Sequence, residues 1–205
     1  MARSIFPWLE NKVICVDPGH GGKDTGGVGV TGTLEKTVVL DVAFKLATLL
    51  LRAGARVVMT RQDDNFVRLA DRAAIANRIN ADIFVSIHSN IARRPDISGL
   101  GVFYWHENPE GRRLAERIFE QVQFLTGLET WGDGLWPCVP GTWTNFYVMR
   151  ATKMTAVLAE IGFLSNKADE ALLREESFRN LKIFNLFQFK KIFSVKCVKV
   201  LSVEN

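Results

Sequence analysis

Apolar positions in this chain change their spacing several times, and each change marks a structural element. Residues 12–17 (KVICVD) are a short β-branched run ending at Pro18-Gly19, the pattern of a buried strand. From 34 to 51 the apolar residues recur at helical spacing, and Gly54 supplies the stop. Residues 55–60 (ARVVMT) predict a second strand, 71–80 lie in a second helical stretch, and 82–87 (DIFVSI) predict a third strand. A fourth strand at 99–105 (GLGVFYW), a helix at 109–126 and a fifth strand at 155–159 continue the alternation. Strands separated by helices require crossover connections. The predicted fold is therefore a single α/β domain, a mainly parallel twisted sheet of about five to six strands with helices on both faces.

Two stretches do not fit the alternation. Residues 127–144 carry Trp131, Trp136 and Trp143 among glycines and prolines and read as a long irregular loop, a type of segment that often carries function. Its tryptophans either line a sugar-binding groove or tuck under the loop as a small cluster of their own. Residues 179–205 form a Phe- and Lys-rich tail of uncertain structure, and residues 1–11 are a lead-in to the folded body of 12–178.

Composition narrows the function classes. With 47% hydrophobic and 23% charged residues, the 205-residue chain can build a substantial core and is not a disordered segment. Three scattered cysteines, Cys15, Cys138 and Cys197, cannot form a closed disulfide framework. The net charge of +4 suggests an anionic partner until it is located. Residues 1–178 hold twenty Lys and Arg against twenty-one Asp and Glu, so the excess resides in the tail. A balanced body argues against a phosphate-binding face and thus against nucleic acid. Insertion into a membrane is not expected, since a span needs about 20 continuous apolar residues. The apolar patch from Ile5 to Leu9 is interrupted by Pro7 and is too short for a secretory leader, which needs roughly 7–15 apolar residues.

Candidate chemistry gathers where strands end. His20 follows the first strand, His88 the third and Glu160 the fifth, and ligands in open α/β sheets bind at the carboxyl ends of strands. His106 follows the fourth strand but sits beside Glu107 and Asn108 and reads as a solvated turn. Glu35 opens the first helix, where the backbone dipole by itself favours an acid. Together with His20 and His88 it makes a His, Glu, His set, one of those that bind catalytic zinc and leave a fourth position for water. The spacing is long and does not match the short helical motif of many metalloproteases, so spacing alone does not specify a metal. The glycine-rich stretch with seven glycines from Gly19 to Gly32 suggests a nucleotide site, but it has neither the GK[ST] ending nor the GxGxxG fingerprint.

Five blocks, in chain order, carry a resemblance: VICVDPGHGGKDTGGVG, LEKTVVLDVAFKLATLL, GARVVMTRQDD, RLADRAAIANRINADIFVSIHSN and NFYVMRATKMTAVLAEIGFLSN. Together they resemble the zinc-dependent N-acetylmuramoyl-L-alanine amidases, the bacterial cell-wall amidases of autolysin and phage-endolysin type. The resemblance runs from about residue 12 to 178 and makes that body the catalytic domain. It implies one Zn²⁺ held by His20, Glu35 and His88, with Glu160 as the catalytic carboxylate. It implies peptidoglycan as the partner, and as the reaction hydrolysis of the amide between N-acetylmuramic acid and L-alanine. Asp17 and Ser86, beside the ligand segments, are candidates for orienting the imidazoles; Asp17 can equally cap a turn. The longer, more aromatic interval around Trp131, Trp136 and Trp143 and the unusual tail depart from the family pattern. The alternatives are a related zinc peptidase cutting within the stem peptide and a non-catalytic wall-binding protein of the same fold. The protein is expected to act as a monomer on the bacterial cell wall, released by lysis, by a phage export route or after removal of a leader.

Overall fold

The structure, a computed structural model, describes residues 9–176 and Phe178. Three strands form the middle of the sheet: β1 (Val13–Pro18), β3 (Ile83–Asn90) and β6 (Thr155–Phe163). Their near-continuous apolar character follows from burial on both faces, as in parallel sheets covered by helices. With β2 (Arg56–Met59), β4 (Leu100–Trp105) and β5 (Thr130–Cys138) the order is β2-β1-β3-β6-β4-β5. Every neighbouring pair is parallel except β4 and β6, which run antiparallel.

Helices α1 (Glu35–Arg52) and α3 (Pro109–Thr126) cover one face, where Val39, Leu46, Leu50, Leu114 and Val122 meet Ile14, Val16 and Val157. On the other face α2 (Leu69–Arg78) and α4 (Tyr147–Ala151) bring Ala76, Val148 and Met149 onto Cys15, Phe84, Phe103 and Leu158. The helix α5 (Lys167–Arg174) follows β6. The mainly parallel α/β architecture is thus as expected from the pattern of the chain. So are the ends of α3, where Asn108 accepts a hydrogen bond from the Gly111 N–H at 2.9 Å, Pro109 is the first residue, and Gly127 closes the helix at φ 69°.

The interval read as a loop differs. Residues 130–138 are a sheet-edge strand, and the sequence conceals it because β5 is bulged. Leu100 pairs with Thr130, but the next pair is Val102 with Leu135, so residues 131–134 are looped out, with Gly132 at φ 57° and Gly134 at φ 75°. Pro137 is tolerated because β5 has a partner on one side only. β3 and β6 also run further than their apolar runs suggest, so that His88 and Glu160 lie within strands. Among the described residues Cys15 and Cys138 are free and buried, and burial pushes both thiols up to about 12. Cys197, the tail of 179–205 and the patch from Ile5 to Trp8 lie outside the described residues. No described helix is long and apolar enough to cross a membrane.

Candidate active site

Adjacent parallel strands bring the candidate residues together. In the β3–β6 register His88 lies opposite Glu160, and β1, on the other side of β3, delivers His20 two residues beyond its end. Glu35, the first residue of α1, reaches the same point. Its Oε1 lies 3.0 Å from His20 Nε2 and 3.0 Å from His88 Nδ1, and the two ring nitrogens are 3.2 Å apart. The carboxylate is held by the N–H of Gly27, 2.8 Å from Oε2, and that of Ser89, 3.0 Å from Oε1.

Two glycines make this convergence possible. A Cβ at Gly19 would stand 2.2 Å from His88 Cε1, and one at Gly26 would stand 2.5 Å from Glu35 Oε2 and 2.7 Å from His20 Cδ2. Gly26 also has φ 65°, a conformation side chains rarely adopt. The glycine-rich stretch therefore lets backbone pass close to the two imidazoles and the carboxylate; its role is not to cradle a phosphate.

Burial and charge shift every ionisable group here. Burial opposes charge on His88, yet the Glu35 carboxylate outweighs it and raises the imidazole to about 9. His20 is raised in the same way. Burial likewise works against the Glu35 carboxylate, but hydrogen bonds from both histidines hold it far below the usual carboxylate range. Glu160 goes the other way: burial pushes it up to about 7, with His88 opposing and Glu35 reinforcing. Its Oε2 is buried and has no hydrogen-bond partner among the described residues. Two adjacent carboxylates with opposed shifts suit division into a fixed ligand and a proton carrier.

Beneath the site, two buried arginines hold the chain around His20. Arg72 donates to the carbonyls of Pro18 (2.6 Å), His20 (2.6 Å) and Val67 (2.9 Å) and to Asp17 Oδ1 (2.9 Å). Arg61 donates to the carbonyls of Pro18 (3.1 Å), Gly19 (2.7 Å), Lys36 (2.8 Å) and Asp63 (2.9 Å). These bonds stabilise His20 at φ 58°, an unusual value for a residue with a side chain. Asp17 and Ser86 do not orient either ring. Ser86 Oγ donates to Asp17 Oδ2 at 2.7 Å, and Asp17 also accepts from Thr60 and Arg72. Adjacent positions on a parallel ladder pair Asp17 with Ser86, and both side chains point to the face that receives Arg72. A second carboxylate, Asp24, approaches the other nitrogen of the His20 ring, its Oδ1 3.0 Å from Nδ1, without the geometry of a hydrogen bond.

Asp24, Arg61, Arg72 and Glu170 were not singled out by the sequence. Glu170, buried in α5, accepts from the Thr31 N–H at 3.0 Å and hydroxyl at 2.8 Å, and so anchors the loop leading into Glu35. For Arg72 and Glu170 the available signal was a charge inside a helical segment with apolar neighbours; Asp24 and Arg61 lie in polar loops and gave none. His106 stands apart, against the Trp105 ring.

A cavity of about 510 Å³ opens over His20, Glu35, His88 and Glu160, walled by Phe66, Leu69 and Tyr147. A second, of about 400 Å³, shares Asn90, Ile91, Phe146 and Glu160 with it and continues along Trp131, Trp143, Phe103 and Phe163. Trp143 is 63% exposed. Trp136 does not line the cavity but lies behind it, its ring 5.0 Å from Trp131 and 6.2 Å from Phe103. The tryptophans thus combine a cavity wall with a packed cluster.

The donor set fits a small cation. Zinc–nitrogen bonds of about 2.0–2.1 Å in a tetrahedron put ligand atoms roughly 3.3 Å apart. The three atoms here are 3.0–3.2 Å apart and share no intervening side chain. A His, Glu, His set with an unligated carboxylate alongside, at the carboxyl edge of a parallel sheet, defines a candidate metal-dependent hydrolase.

Comparison with known proteins carries this further. The sequence profile of the N-acetylmuramoyl-L-alanine amidases matches residues 14–183, and the chain belongs to that family. It is 36% identical over 173 residues to protein YqiI of Bacillus subtilis, covering 83% of this chain and 79% of that one. It is 34% identical over 175 residues to the protein named "Probable cell wall amidase LytH" of Staphylococcus aureus; the match takes in 84% of this chain but only 55% of LytH. The catalytic domain of CwlV, the N-acetylmuramoyl-L-alanine amidase of Bacillus (Paenibacillus) polymyxa var. colistinus, superposes with a TM-score of 0.78 at 34% identity. That superposition covers 90% of this chain and 99% of that domain.

Proposed function

We propose that this chain hydrolyses the amide joining N-acetylmuramic acid to L-alanine in peptidoglycan, with one zinc ion held by His20, Glu35 and His88 and with Glu160 as general base and acid. Membership of the amidase family supports the reaction. The observation that carries the assignment of roles is the position of Glu160: opposite His88, partly buried, raised to about 7, with one oxygen unpartnered.

When bound, zinc supplies a Lewis acid that polarises the scissile carbonyl and brings the pKa of a water to about 7. The chain's own residues do the rest. Glu160 takes the proton of the attacking water and returns it to the L-alanine nitrogen as the C–N bond breaks, so that the amine leaves neutral. Burial raises the proton affinity of the Glu160 carboxyl, which suits it to accept the proton of the water. Asp24 sets a negative charge beside the His20 ring, and Arg61 and Arg72 hold the backbone that carries it. The aromatic cavity next to Glu160 suits the apolar face of a pyranose ring, and on this reading the muramyl sugar lies against Trp131 and Trp143, with Trp136 as a buttress.

The test is digestion of purified peptidoglycan by zinc-loaded protein with mass spectrometry of the products. The amidase reading expects new L-alanine amino termini and intact glycan strands; cuts inside the stem peptide instead would replace it with the peptidase reading. Glu160→Gln is expected to retain zinc and lose hydrolysis, and a wall-binding protein without turnover would yield no products from either form.

A further inference from the structure

Lys23, Lys36, Arg68 and Arg150 lie close along the chain to residues that line the larger cavity, and they divide into two kinds. Lys36 is neutralised by Asp64 at 2.6 Å, and Arg68 by Asp71 at 2.7 Å. Lys23 and Arg150 meet no carboxylate among the described residues; each lies instead over an aromatic ring. Lys23 Nζ is 4.9 Å from the centre of Phe66, and the Arg150 guanidinium is 5.0 Å from the centre of Tyr147. Both rings are cavity walls, Phe66 on the segment before α2 and Tyr147 at the start of α4. A ring beneath a cation restrains the side chain without consuming its charge or its hydrogen-bond donors. The only hydrogen bond of the Arg150 guanidinium among the described residues is a long one, 3.5 Å, to the Asn145 carbonyl. The adjoining aromatic cavity offers apolar walls, Asn90 and, where it joins the larger one, Glu160; no cation lines it, so it suits a ligand without negative charge.

We propose that Lys23 and Arg150 read carboxylates on the peptide side of the scissile amide, which makes this amidase selective for an acidic stem peptide over its amidated form. The proposal rests on the amidase reading and adds the direction in which substrate lies: neutral sugar along Trp131 and Trp143, anionic peptide between Phe66 and Tyr147. The two cations are specificity determinants and take no part in bond breaking. An exposed ion pair contributes about 0.2–1 kcal/mol, so each cation is expected to favour the acid by about 1.5- to 5-fold. The preference is expected in KM, with kcat little changed, and to shrink as salt is raised.

The experiment pairs two substrates, a muramoyl tripeptide with free side-chain and terminal carboxylates and the same compound amidated, with zinc-loaded wild type, Lys23→Ala, Arg150→Ala and the double variant. All four proteins are first matched for zinc content and melting temperature. Calorimetric titration with the corresponding free tripeptides, acid and amidated, runs alongside. Support is a wild-type preference for the acid in both measurements that narrows stepwise in the variants. Equal cleavage of the two substrates by wild type, or equal losses on both in the variants, would overturn the proposal and leave the amidase reading standing. Selective binding of the acidic tripeptide without cleavage of either substrate would have the reverse meaning: the carboxylate subsite stands and the amidase reading fails.

Discussion

Replacing Glu160 by glutamine separates stability from catalysis. The Glu160 carboxyl is raised from 4.5 to about 7, chiefly by burial, so the folded protein holds its proton more tightly than the unfolded chain does. The sign follows from linkage. A carboxyl raised on folding costs no stability below about pH 4.5, where both states are protonated, and costs progressively more as pH rises to about 7, above which the penalty is constant. At 1.36 kcal/mol per pH unit the ceiling is about 3 kcal/mol. Glu160 opens onto the cavity, and water there reduces the effect to about 1–2 kcal/mol. Glutamine keeps the shape and removes the ionisation. Metal-free Glu160→Gln is therefore expected to match wild type near pH 4.5 and to be more stable by about 1–2 kcal/mol at pH 8. Urea unfolding across that range measures the difference. The zinc-loaded variant is expected to lose about 10²- to 10⁴-fold in turnover, the usual size of a general acid–base contribution. A variant no more stable than wild type at pH 8 would refute the claim that Glu160 is held in a poorly solvated site.

Metal uptake should depend on protons. His88, raised to about 9 by Glu35, is protonated at pH 7 in the metal-free protein, so zinc binding at that pH is expected to release protons; calorimetry in buffers of different ionisation heat counts them. Gly26→Ala places a Cβ 2.5 Å from Glu35 Oε2 at a φ of 65°, and a fall of at least about tenfold in zinc affinity is expected by chelator competition, comparable to losing a ligand-supporting contact. Arg72→Met removes the cation from buried Asp17, takes the guanidinium donors from the His20 and Val67 carbonyls and leaves that of Pro18 to Arg61, with an expected loss of about 3–5 kcal/mol in denaturant unfolding. Trp143→Ala removes an exposed side chain from the aromatic cavity and is expected to raise KM for polymeric peptidoglycan several-fold, with the melting temperature within about 2 °C of wild type.

The chain by itself determined the succession of strands and helices, because two-residue and 3.6-residue periodicities are local properties. It also determined which polar residues follow apolar runs, and so pointed to His20, His88 and Glu160, with Glu35 added from the first turn of a helix. Other elements were hidden for equally local reasons. β5 escaped because Gly132, Gly134 and Pro137 are turn-formers, and only pairing with β4 along the sheet edge makes a strand of them. α4 is a five-residue helix, too short to show a period.

What tertiary structure alone decided is which groups touch. Strand order puts β3 between β1 and β6, and no periodicity encodes that order; it depends on how the helices cover both faces. From that one fact follow the 3.0 Å approaches of His20 and His88 to Glu35, the pairing of Asp17 with Ser86 instead of with a ring, and the burial of Arg61 and Arg72 against the carbonyls of 18–20. Charged residues in a chain cannot declare their partners, because a buried guanidinium is stable only beside acceptors that arrive from distant segments. The identities of the site residues are thus local information, and their chemistry, including the opposed shifts of Glu35 and Glu160, is created by packing.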